Sequence, residues 1–235
     1  MTMQTFSEII LALFLLANLA LAGSGRLTHA IRLVAAQGFA VGALPLLLWD
    51  WQSAGVPECR LFIIAAVNAI VKGVAMPMLL EYAVRKINTK RELEPIISFT
   101  LSRLIVFAMI IGSFAIAARL HIHETVASEL AVPVAFTTMG TGLLLIAARK
   151  KAVTQVLGFL VLENGISVFG AGLLIEHGII VELGILLDVF ALAFILGIAI
   201  FQIKRTFAST DTDKLNHLGD THLMHPHRHH HRTHA

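Results

Sequence analysis

The chain has one cysteine, Cys59, among 235 residues. That excludes an internal disulfide framework and a four-cysteine metal site. Charge is also scarce: Asp, Glu, Lys and Arg make up 14% of the residues, where soluble domains carry about 25%. Aromatic residues reach only 7%, and none interleaves with basic residues in the way that would turn the formal charge of +3 into a nucleic-acid surface. No phosphate-cradling glycine loop, HExxH helix or cysteine cluster occurs, so the chain alone is expected to have neither a redox active site nor a cofactor of its own. What the sequence does have is apolar residues, at 57%, in runs long enough for membrane helices of about 20 residues. Barrel strands would need only about 10, in alternation. These features define an all-α, polytopic membrane helix bundle.

About seven spans are readable: Phe6–Ala22, Leu33–Trp49, Leu61–Val84, Ile96–Ala118, Leu130–Ala148, Ala152–Ile175 and Ile179–Ile203. The first lacks the basic leader of a signal peptide and carries Glu8, so it is expected to be retained. Basic residues crowd alternate loops: Arg26 and Arg32 with His29, then Arg85, Lys86, Lys90 and Arg91, then Arg149, Lys150 and Lys151, and finally Lys204 and Arg205. The intervening loops hold Arg60 and Arg119 against Asp50, Glu58, Glu124, Glu129 and Glu176. By the positive-inside rule the N-terminus is expected outside and the C-terminus inside. Trp49 and Trp51 suit an outer interface, and Pro95 suits the first turn of the fourth span. Gly38 and Gly42 have the spacing of a close helix contact, and Gly140 and Gly142 read as packing positions.

After Arg205 the chain becomes polar and histidine-rich, with His217, His222, His225, His227, His229, His230, His231 and His234. Residues 206–235 are expected to form a disordered cytoplasmic tail. Neutral imidazoles there, His225, His227, His229, His230 and His231 above all, are weak metal candidates, since their irregular spacing fits no defined site.

The chemistry-bearing residues are the ionisable groups inside spans. Glu163 and Asp188 lie about 18 Å from Lys151 and about 24 Å from Lys204, at 1.5 Å per helical residue, in the middle-to-outer part of a core of about 30 Å. Carboxylates at that depth are costly unless protonated, paired or wetted, and mark ion or proton routes. Their spans are consecutive and joined by a short link, so they are expected to pack together, and two interacting acids would titrate as a pair. Asn164 and Ser167 add polar groups beside Glu163, and the structural alternative is a hydrogen bond that only holds two helices together. Lys72 lies near mid-membrane, with Asn68 one turn earlier and Pro77 interrupting the backbone bonds just beyond. It reads either as a proton carrier or as a static counter-charge to an acid on another helix. Arg103 can extend to the inner interface, Glu81 and Arg85 read as a surface pair, and Glu182 and His177 sit near the outer mouth.

The segment ARKKAVTQVLGFLVLENGISVFGAGLLI, beginning at Ala148, resembles the hydrogenase-4 component E family of membrane proteins. Those proteins belong to the energy-converting group 4 [NiFe] hydrogenases and formate hydrogenlyases. The basic entry, the small-residue LG, the embedded acid with Asn, and a next helix with an acid and a basic end carry the likeness over about Leu130 to Arg205. That stretch is also similar to the K-type small membrane subunit of complex I and the C-type subunit of Mrp antiporters. The lysine–proline helix VNAIVKGVAMPMLL fits the longer pattern of the component E family. The resemblance implies three regions: a four-helix extension over 1–129, a three-helix K-type-like domain over 130–205, and the tail. It implies a non-redox subunit in a bacterial or archaeal cytoplasmic (inner) membrane, linking a hydrogenase arm to antiporter-like subunits and contributing to proton or sodium translocation. The two family acids would carry over to Glu163 and Asp188. Glu163 stands about one turn later than its counterpart, Asp188 about one turn earlier, and aspartate replaces glutamate in the last helix. Two rival classes fit the same buried charges: a stand-alone transporter or channel for a small solute, and a structural adaptor between pump subunits.

Overall fold

The computed structural model describes residues 3–49, 59–86, 96–120 and 128–172, with isolated helical positions at Ala193 and Gly197. Within these the chain is helical, as expected: α1 (Met3–Gly23), α2 (Leu27–Leu47), α3 (Cys59–Ile70), a π-helical turn (Val71–Ala75), α4 (Met76–Lys86), α5 (Phe99–Leu120), α6 (Ala131–Ala148) and α7 (Ala152–Gly172). The segments α3, π turn and α4 run on as one span, so six helices are long and apolar enough to cross a membrane. The expected seventh span, Ile179–Ile203, lies outside the described residues apart from those two positions, and so does the tail.

Two boundaries differ from the sequence reading. The second helix starts at Leu27 rather than Leu33, because Leu27, Ala30, Ile31 and Val34 form a buried stripe at helical spacing while Arg26, His29 and Arg32 face outward. The fourth starts at Phe99, not at Pro95. Ser98 caps it, its Oγ accepting the Leu101 N–H at 3.3 Å, and Ile96 is occupied in donating its N–H to the Ala148 carbonyl at 2.9 Å.

The tightest pairing is between α6 and α7. Glycines bring their backbones together, the close approach that drives packing in lipid. A Cβ on Gly158 would lie 2.8 Å from the Gly142 carbonyl oxygen, and one on Gly165 would lie 2.6 Å from the Met139 nitrogen. Against this pair lie α1 and α2. Leu21, Val34, Met76, Leu145, Val156 and Leu160 belong to one apolar cluster, and Leu11, Phe14, Leu44, Val134 and Val168 to a second. Helix α5 is peripheral. It contacts α1 and α6 but exposes Leu104, Phe107, Ile111 and Phe114, as suits a lipid-facing helix.

Candidate functional site

The expected GxxxG contact forms, and it positions the π turn. Gly42 packs on Ala69, where a Cβ would lie 2.6 Å from the Ala69 nitrogen. A Cβ on Gly38 would collide with the Lys72 carbonyl, and one on Gly73 would lie 2.8 Å from the Phe39 ring. The helix widens here: the Met76 N–H bonds the Val71 carbonyl, five residues back, just ahead of Pro77, which has no N–H to give. Single π turns of this kind gather at functional sites.

The wide turn carries Lys72, which is 5% exposed. Its Nζ lies 3.1 Å from Oε1 of Glu163 on α7 and donates a hydrogen bond to Oγ of Ser167 at 2.7 Å. The Ser167 hydroxyl in turn donates to the Glu163 carbonyl at 3.0 Å, so one residue both accepts from the lysine and anchors to the backbone turn that bears the acid. Glu163 is 2% exposed. The counter-charge to Lys72 is therefore an acid of this same chain, on another helix. Ion pairs at this burial are weakly favourable or neutral when intact and strongly unfavourable when one partner is removed.

Other predicted residues fall differently. Asn164 is buried beside Glu163, and its Nδ2 makes no hydrogen bond among the described residues. Asn68 turns its amide to the Ile64 carbonyl of its own helix at 3.0 Å and is not joined to the ammonium by any described hydrogen bond. Arg103 is exposed, its side chain lying over Gly23 at the end of α1. Glu81 and Arg85 form the expected exposed pair at 2.6 Å. Asp188, Glu182, His177 and the tail histidines lie outside the described residues.

Sequence reasoning missed two features. One is a buried polar string across three helices. Gln37 Nε2 donates to Asn18 Oδ1 at 3.1 Å, Asn18 Nδ2 donates to Thr138 Oγ1 at 2.8 Å, and Thr138 Oγ1 donates to the Val134 carbonyl at 2.7 Å. Gln37 adjoins Gly38, so the string starts next to the π turn. The other is Arg149. It reads in sequence as the first of three solvated loop cations, yet it is 1% exposed. Its Nη2 donates to the Ala22 carbonyl at the end of α1 at 3.2 Å, and its guanidinium carbon lies 4.8 Å from the centroid of the Phe99 ring. Burial holds its pKa below the ordinary arginine value, although a guanidinium stays charged.

Six membrane-length apolar helices enclosing a buried ion pair define the class: an all-helical integral membrane protein. Within that class, the chain is 33% identical over 193 residues to the uncharacterized protein Rv0085 of Mycobacterium tuberculosis (strain ATCC 25618 / H37Rv), a match covering 81% of this chain and 85% of that protein. The chain belongs to the family of that protein. No protein-family model matches it, and no solved structure does.

Proposed function

We propose that this chain is a non-redox membrane subunit of an energy-converting, hydrogenase- or complex I-like assembly in a bacterial or archaeal cytoplasmic membrane. In this reading it helps move protons, or sodium, across that membrane, driven by redox chemistry in partner subunits. The observation that carries the reading is the Lys72–Glu163 pair, 3.1 Å apart, buried near the middle of two spans and mounted on a π turn. A helix–helix fastener made of Ser, Thr or Asn would hold the bundle without charge. Intramembrane ionisable pairs are the usual parts of proton relays.

The pair supplies a simple cycle. At rest each charge stabilises the other. A proton arriving at the Glu163 carboxylate cancels its charge and leaves the ammonium of Lys72 on the Ser167 hydroxyl, without that counter-charge in a low-dielectric setting. A proton then leaves from the ammonium, giving a neutral pair, or from the carboxyl, giving back the ion pair. Asp188, on the expected last span, is the proposed neighbour in the route. Antiporter-like subunits and a hydrogenase arm are the proposed partners.

The test is proton transfer in membranes carrying the assembled complex with Glu163→Gln or Lys72→Ala. Loss of transfer with assembly intact supports the route. Wild-type transfer in both variants refutes it, and coupling spared by the acid substitutions while Gly38→Leu abolishes assembly supports the adaptor reading instead. A chain that moves a solute when purified alone would be a stand-alone transporter.

A further inference from the structure

Arg149 and Arg103 converge on one place, the C-terminal end of α1. Arg149 bonds the Ala22 carbonyl, and the Cδ of Arg103 would lie 2.7 Å from a Cβ placed on Gly23. No described carboxylate bonds either guanidinium. The Ala22 carbonyl and the Phe99 face account for only part of the Arg149 guanidinium. Its Nε and Nη1 are buried and make no hydrogen bond among the described residues, a costly state for charged donors. Arginine forks fit phosphate oxygens in two-point contacts.

The surroundings say where such a phosphate would come from. The site is at the basic end of the bundle, where Arg26, Lys150 and Lys151 also lie and where spans of this length meet the headgroups. Arg103 is exposed on α5. Phe107, Ile111 and Phe114 continue its face at helical spacing and are 53%, 59% and 40% exposed. A headgroup on Arg103 would thus have a continuous apolar stripe beneath it for acyl chains.

We propose that this end of α1, α5 and α6 binds the phosphate of an anionic phospholipid, with Arg103 as the exposed first contact and the Nε side of Arg149 as the buried one. Phe99, half-buried over the Arg149 guanidinium, is the group that moves aside to admit it. This inference stands apart from the proton route and survives its failure.

The experiment uses the full chain, delipidated in detergent and offered phosphatidylglycerol or phosphatidylcholine, with bound lipid counted by native mass spectrometry. The expected result is selective phosphatidylglycerol adducts on the wild type. Each variant loses a charge-assisted contact to the phosphate, so affinity should weaken roughly tenfold or more in Arg149→Gln and in Arg103→Gln. Arg103 is exposed, so its variant keeps the test valid if Arg149→Gln fails to fold. Equal binding of the two lipids, or phosphatidylglycerol binding unchanged in Arg103→Gln, overturns the proposal. So does inorganic phosphate that displaces the lipid completely at equal concentration, which would make the site one for a free anion.

Discussion

Lys72 and Arg149 are both cations buried to within a few per cent, and they are stabilised in opposite ways. Lys72, near mid-membrane, has a carboxylate at 3.1 Å and a hydroxyl at 2.7 Å. Arg149, at the basic end, has a helix-terminal carbonyl and an aromatic face, but no bonded acid among the described residues. Depth accounts for the difference. A charge in the hydrocarbon core has no solvent or headgroup to draw on and needs a counter-charge within the protein. A charge at the end of a span can use the negative end of a helix macrodipole and the anionic surface of a leaflet. A central cation is thus tied to the fate of one acid, whereas a peripheral one answers to its lipid surroundings.

The contrast between the two cations is sharpest at the central pair. Lys72→Ala, which removes the cation 3.1 Å from the buried Glu163 carboxylate, should cost about 3–5 kcal/mol in reversible unfolding from mixed micelles. The double variant Lys72→Met with Glu163→Gln should recover much of that loss, because both buried charges are then removed together. If the single and double variants are equally unstable, the 3.1 Å contact is not the interaction that matters. Gly38→Leu forces α2 away from the Lys72 carbonyl and should cost about 1–3 kcal/mol as overpacking, with thermal unfolding as the readout. Arg149→Gln should cost less in neutral micelles, about 1–2 kcal/mol for one hydrogen bond and one cation–π contact. Its deficit should widen when anionic lipid is present, whereas that of Lys72→Ala should not change with lipid. Ser167→Ala should lose about 1 kcal/mol and leave the ion pair formed. The smallest effect is expected at the exposed Glu81–Arg85 pair, about 0.5 kcal/mol or less in a double-mutant cycle.

Six of the spans, and Lys72 and Glu163 as buried charges within them, were legible in the sequence, since a charge inside a twenty-residue apolar run stands out. Their partnership was not. The two residues are far apart in the chain, and their meeting depends on α2 lying between the π turn and α7, with Gly38, Gly42 and Phe39 setting the approach. Periodicity also ran past a local event. Leu61–Val84 reads as one span with a backbone bond lost at Pro77, while the structure widens the whole turn Val71–Ala75 ahead of it. Arg149 was hidden by its company, since in a run of Arg, Lys and Lys any member reads as a solvated loop cation. The signal available was its place flush against the last apolar residue of a span, which is weak on its own. The early start of α2 was there to be found, in the spacing of Leu27, Ala30, Ile31 and Val34.

The central claim is that the Lys72–Glu163 pair carries protons rather than only holding α7 to the π turn. The direct measurement is redox-driven proton movement in native membrane vesicles whose complex contains Glu163→Gln, with complex assembly and electron transfer measured on the same preparation. The expected result is assembled complex with electron transfer retained and proton movement largely lost. Assembled complex that still moves protons at the wild-type rate would contradict it.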